Sequence, residues 1–190
     1  MSRYLRPKQP GATVFFTVTL AERGSDLLVR HIEVLRDAAR RTRAHKPFFI
    51  DAWVVLPDHM HCVWTLPEGD ADYSVRMASI KARFTMELGK LESGSGCRSG
   101  CRSGFSPTPA QNPYGAIGGR RRVGLKPDLP GDEPRGNEQP IWQKRFWEHH
   151  IRDEADYAAH VQYCWINPVK HGLVAEPKEW PYSSFHRDNP

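Results

Sequence analysis

Residues 47–67, PFFIDAWVVLPDHMHCVWTLP, hold the rest of the chain to few arrangements. Two runs rich in aromatic and β-branched residues meet near Pro57-Asp58 with almost nothing between them, the pattern of two antiparallel strands joined tightly. Upstream, TVFFTVTLA (13–21) reads as a strand, and HIEVLRDAARRTRAHK (31–46) sets Ile32, Leu35, Ala38, Ala39 and Thr42 at helical spacing. Downstream, YSVRMASIKARFTMELGKL (73–91) opens at Ser74, a residue type suited to an N-cap, and lines Met77, Ile80, Phe84, Leu88 and Leu91 along one stripe. QKRFWEHHIR (143–152) is a fourth strand candidate, and DEADYAAHVQYCWIN (153–167) is a helix capped by Asp153. The order β-α-β-β-α-β-α contains a split β-α-β pattern. It implies an α+β fold: a four-stranded antiparallel sheet with both principal helices on one face and the last helix added to that core.

One stretch stands apart. Residues 93–137 hold ten Gly, six Pro and five Ser in 45 residues, and include the direct repeat GCRSGCRS. About half of it cannot support regular structure, so it reads as a flexible insert within one domain spanning 1–190. It also carries seven Lys/Arg against three Asp/Glu, which is +4 of the chain's formal +5. The remainder is nearly neutral, and overall basicity says little about its binding face. The insert could serve as a loose cationic arm on DNA, but a tolerated surface insertion is the simpler reading.

The four cysteines, Cys62, Cys97, Cys101 and Cys164, form no CxxC pair and no spaced framework, which points to free thiols in a reducing cytosol. A zinc site at Cys97 and Cys101 would need two ligands from elsewhere. No apolar run is long enough to span a bilayer, and MSRYLRPKQPG lacks the apolar centre of a secretory signal. The absence of a GxxxxGK[ST] loop argues against an ATP-driven machine.

Side chains alternate along a strand, so His59 and His61 share one face and Met60 and Cys62 the other. Two imidazoles placed so can converge on one cation, or can simply be a partly exposed hairpin pair. The apolar flanks AWVV and VWTL make an unused polar pair costly. The last helix carries two stripes. Tyr157, Val161, Cys164 and Trp165 form an apolar face; Asp156, His160, Tyr163 and Asn167 form a polar one. Tyr157 belongs to the core. Tyr163 is either a half-buried surface phenol or a nucleophile, since phenolate can attack phosphorus when a divalent cation neutralises the charge that builds up. Asn167, one turn on, could reach the same cation, although Pro168 disfavours helical backbone at the residue before it.

Together, PDHMHCVWTLPEGD (57–70), RFWEHHIRDEADYAAHVQY (145–163) and NPVKHG (167–172) resemble the REP-associated tyrosine transposases, a branch of the single-strand insertion-sequence transposases with an HUH motif and one catalytic tyrosine. WPYSSFHRD (180–188) is similar to the family's C-terminal signature, and the resemblance covers nearly the whole chain outside 93–137. It implies a ferredoxin-like sheet, with His59 and His61 as metal ligands, Met60 as the apolar middle residue and Tyr163 as the catalytic nucleophile. Asn167 stands where related transposases place a third ligand, often a glutamine.

The implied activity is transesterification of single-stranded DNA at hairpin-forming palindromic repeats, through a 5′-phosphotyrosine and a free 3′-OH. Mg2+ or Mn2+ suits two imidazoles plus oxygen ligands. Two other readings are a related protein that grips hairpin DNA without cutting, and a metal-dependent phosphodiesterase that uses water. Candidate DNA contacts are Arg3, Tyr4 and Arg6 in the N-terminal arm, Lys81 and Arg83 on the second helix, Lys144 and Arg145 before the fourth strand, and Lys170 and His171 beside Tyr163. The chain is expected to be cytoplasmic, nucleoid-associated when on DNA, and a monomer or homodimer.

Overall fold

The computed structural model describes residues 8–94 and 140–189. The expected element order is present, with short additions: β1 (Thr13–Thr19), α1 (Leu27–Arg30), α2 (Ile32–His45), β2 (Phe49–Val55), β3 (His59–Thr65), α3 (Tyr73–Gly94), β4 (Trp147–His150), α4 (Glu154–Lys170) and α5 (Phe185–Asp188). The strands form one sheet in the order β2-β3-β1-β4, with every neighbour antiparallel. This is the ferredoxin-like arrangement. No helix among the described residues is long and apolar enough to cross a membrane.

Alternation along the strands divides the apolar side chains between two faces. Val14, Phe16 and Val18 of β1 and Met60, Cys62 and Trp64 of β3 pack under Leu35, Ala38 and Ala39 of α2 and Met77, Ile80, Phe84 and Leu88 of α3. Phe15, Ala52, Val54 and Val63 point the other way and meet Val161 and Cys164 of α4. The two principal helices therefore cover one face, and α4 crosses the other over β2 and β3.

Three local expectations need correction. The third helix starts at Tyr73, so Ser74 lies inside its first turn rather than at the cap. Tyr73 is fully buried against Phe16, and an Asx turn from Asp70 to the Asp72 N–H delivers the chain into the helix one residue early. The same helix runs to Gly94, and Leu91, projected into the apolar stripe, is exposed where the helix outruns the core. Finally, α4 does not stop at Asn167. It continues through Pro168 to Lys170, because Asn167 and Pro168 are both buried and packing offsets the hydrogen bond that proline removes. The expected cap does hold: Asp153 accepts from the Asp156 N–H at 2.8 Å.

Beyond α4 the chain returns to the β2 edge. Trp180 is buried and donates its indole N–H to the Val55 carbonyl at 2.8 Å, the Val55 N–H donates to Tyr182, and Ser184 Oγ accepts from the Trp53 N–H. WPYSSF thus covers an edge that would otherwise offer unpaired backbone groups.

Arg76 fastens the start of α3. Its buried guanidinium donates to both Asp70 carboxylate oxygens, at 3.0 and 2.6 Å, and to the Pro47 carbonyl. These bonds, followed by the Asp72 N–H, hold Asp70 down at about 2, below its ordinary 3.8. A depressed carboxylate stabilises the fold above its unfolded pKa and loses that contribution as pH falls through the folded one. Arg76→Ala is therefore expected to lower stability at neutral pH by about 2 kcal/mol, less than the roughly 3–5 kcal/mol of a fully buried pair because Asp70 is partly exposed and can be rehydrated. Denaturant titrations across pH should also show a shallower loss of stability in the variant between pH 4 and pH 2.

Candidate active site

His59 and His61 lie on the α4 side of β3, nearly buried, with ring centroids 5.0 Å apart. Each ring has one nitrogen engaged. His59 Nδ1 meets Asp58 Oδ1 at 2.6 Å, and His61 Nδ1 meets Thr17 Oγ1 at 2.9 Å, directly across the β1–β3 ladder. In both rings Nε2 is the nitrogen left for another partner. His61 Nε2 is buried and has none. Its pKa is pushed down to about 3, first by burial and then by the neighbouring His59 and His171, with Asn167 acting weakly the other way. The ring is a neutral donor at any working pH.

Asp58 anchors the pair from behind. Burial works against its charge, yet the His59 ring, the Gly24 N–H at 2.9 Å and Arg23 at 3.1 Å outweigh burial and hold it at about 2. Gly24 has φ 80°, a backbone most side chains resist, and this turn aims its N–H at the carboxylate. A carboxylate behind a histidine nitrogen fixes the ring and strengthens its free nitrogen as a ligand.

α4 brings the phenol. The Tyr163 ring stands edge-on to His61 with centroids 5.1 Å apart and also meets Phe15 at 5.8 Å. Tyr163 is 38% exposed, and its hydroxyl has no hydrogen-bond partner among the described residues. Lys170 Nζ lies 4.6 Å from the centre of its ring, a cation–π distance. Asn167, one turn below, is fully buried with neither amide atom hydrogen-bonded, although it sits close enough to act on the His61 ring. Orphaned buried polar atoms are costly. An unpaired imidazole nitrogen and an unpaired amide oxygen on facing elements, with the second nitrogen of His59 beside them, are donor types that suit a divalent cation. His171 adds a third ring, 5.0 Å from His59.

The structure therefore gathers His59, His61, Tyr163, Asn167, Lys170 and His171. It does not gather Lys81 and Arg83, which lie on α3 across the sheet. Lys81 donates to the Gln143 carbonyl and Arg83 to Ser79. Lys144 and Arg145 are exposed on the approach to β4. Arg3, Tyr4 and Arg6 fall outside the described residues, as do Cys97, Cys101 and nearly all of the 93–137 insert. Cys62 and Cys164 are free and buried, and burial pushes both thiols up, as inert core residues. Tyr157 is half-buried against the second apolar cluster, as its stripe indicated.

Sequence reasoning passed over Asp58, Arg23 and Thr17. Asp58 had a signal, an acidic residue next to His59 at a tight turn. The Thr17–His61 bond had none, because it depends on strand register.

No protein-family model matches the chain. A REP-associated tyrosine transposase of Escherichia coli (strain K12) is 42% identical over 188 residues, 99% of this chain and 85% of that protein. A putative REP-associated tyrosine transposase of Haemophilus influenzae is 38% identical over 188 residues, 99% of this chain and 88% of the relative. Among solved structures, a REP-associated tyrosine transposase bound to a REP hairpin superposes with a TM-score of 0.72 at 40% identity, covering 99% of this chain and 85% of that one.

Proposed function

The chain belongs to the REP-associated tyrosine transposases, and on that premise we propose that it cuts and rejoins single-stranded DNA beside hairpin-forming repeats, with Tyr163 as nucleophile. The observation that carries this reading is the 5.1 Å approach of the exposed Tyr163 ring to a histidine whose free nitrogen is buried and unpaired.

The Tyr163 oxygen attacks the scissile phosphorus as its proton leaves. The bond to the 3′ oxygen breaks, that oxygen takes up a proton, and the 5′ phosphate stays on the tyrosine. The energy of the cleaved bond is kept in the phosphotyrosine, so a 3′-OH reverses the step without ATP. His59, His61 and Asn167 would hold Mg2+ or Mn2+, which would supply charge neutralisation at the phosphate when bound. Asp58 accepts from His59 Nδ1 and so favours the tautomer that leaves Nε2 as a lone-pair donor, while Thr17 holds the His61 ring through its Nδ1. Lys170 and His171 border the phenol and His59 and meet the phosphate backbone there. Trp147, 55% exposed on β4 and edge-on to Phe15 at 5.7 Å, offers a face for an unpaired base.

Asp58→Asn removes the charge behind His59 while keeping the shape. It is expected to weaken metal affinity by about 10–100-fold, so that cleavage needs more cation and recovers at higher Mn2+. Titrating the cation at fixed DNA checks this; an unchanged half-saturation point would show that Asp58 does not act through His59.

The reading as a whole is tested by incubating the chain with an end-labelled single strand carrying a hairpin repeat, followed by denaturing electrophoresis. Label retained on the protein supports it. Free product without an adduct indicates water as nucleophile, and binding without product indicates a non-cutting hairpin binder.

A further inference from the structure

We propose that His149, Asp156 and His160 form a second cation site, separate from the His59–His61 pair and suited to zinc or another borderline divalent transition metal. One ligand atom from each residue lies within 4.8 Å of the others. His149 Nε2 is 2.9 Å from Asp156 Oδ2, and His160 Nδ1 is 3.0 Å from Asp156 Oδ1. A tetrahedral zinc ion with bonds of about 2.0–2.1 Å sets its donors roughly 3.3 Å apart; each imidazole already stands near that spacing from one oxygen of the Asp156 carboxylate, His149 from Oδ2 and His160 from Oδ1. The side chains are 26%, 10% and 21% exposed, open enough for an ion to enter and sheltered enough to hold it.

Chemistry selects the metal. Two imidazoles and one carboxylate suit zinc, nickel or cobalt, whereas magnesium prefers oxygen alone. Asp156 supplies the oxygen donor, and its Oδ2 already accepts from His149 and from the backbone and side chain of Arg152. Placement separates the two sites. His61 is on β3 and His149 on β4, with β1 running between them. Phe15 of β1 meets His61 at 5.7 Å and His160 at 4.8 Å.

Without an ion, the imidazoles bond to Asp156, His160 Nδ1 also lies 2.8 Å from the Asp156 carbonyl, and Arg152 Nε approaches the carboxylate at 3.3 Å. On binding, His149 Nε2 and His160 Nδ1 turn their lone pairs to the ion, and each ring keeps a proton on its other nitrogen. Arg152, 75% exposed, withdraws to solvent. The rings, stacked 4.7 Å apart, turn slightly to aim both lone pairs at the ion. The ion joins β4 to the first turns of α4, three residues before Tyr163, and so steadies the helix that carries the phenol.

The test uses the full chain without a histidine tag, stripped of metal and titrated with Zn2+ or Co2+ by calorimetry and by cobalt absorption, in the absence of DNA. The expected result is one equivalent lost in a His149→Gln/His160→Gln variant and retained in a His59→Gln/His61→Gln variant. Zinc should raise the melting temperature of the wild type and of the second variant, but not of the first. Asp156→Asn, which keeps an acceptor oxygen, should weaken that equivalent at least tenfold even if the double variant folds poorly. The same stoichiometry, affinity and thermal shift in the wild type, the His149/His160 variant and Asp156→Asn would overturn the proposal. None of these readouts depends on DNA cleavage.

Discussion

Replacing Tyr163 with phenylalanine is expected to abolish strand cleavage, by at least about 10^3-fold, while leaving hairpin binding within a few fold. The substitution removes a single oxygen. The ring keeps its edge-on contact with His61 and Phe15 and its place under Lys170, so packing of α4 should be almost undisturbed. Because the hydroxyl makes no hydrogen bond among the described residues, its loss orphans no partner, and melting temperatures should agree within a degree or two. A nucleophile, by contrast, has no substitute. Cleavage that survives in Tyr163→Phe would remove Tyr163 from the reaction.

The second large effect is expected at His61. His61→Ala deletes a ring that stacks on Phe15 at 5.7 Å and contacts both His59 and Tyr163, and it leaves the Thr17 hydroxyl without that partner. If this nitrogen helps hold the cation, the loss of several kcal/mol of transition-state stabilisation lowers cleavage by about 10^3-fold or more. The buried cavity also costs about 1–3 kcal/mol in stability. The two effects are separable. Raising Mn2+ should rescue Asp58→Asn, which only loosens a ligand, but not His61→Ala, which removes one. Hairpin binding should persist in both, because neither substitution touches Lys170, His171 or Trp147. Full rescue of His61→Ala by the cation would mean that the site is assembled from other groups.

Much of this site is legible from residue order because strand and helix periods decide it. His59 and His61 must share a face of β3, and Tyr163 and Asn167 must share a face of α4, whatever the surrounding fold. The β-α-β-β-α-β order, read from apolar spacing, gives the sheet and its two principal helices but only adds α4 to that core; that α4 lies on the opposite side from α2 and α3 is settled by packing. What stays hidden are matters of register and packing. Thr17 reaches His61 only because β1 and β3 pair in one particular alignment. Gly24 reaches Asp58 because a loop 34 residues away folds over the hairpin turn. The helix passes Pro168 because burial of Asn167 and Pro168 outweighs a local preference. The Trp180–Ser184 strap on β2 could not be read from a polar, proline-containing tail, since its order comes from the edge it covers. His149 lies on a strand and Asp156 and His160 on the next helix, so no single periodicity unites them.

The most direct measurement is the identity of the residue that becomes linked to DNA. After reaction with a labelled single strand carrying a hairpin repeat, protease digestion and mass spectrometry of the adduct should give one modified peptide. It should come from α4 and carry a 5′ phosphate on Tyr163. Product formed without any protein–DNA link, or a link mapped to a different residue, would contradict the account.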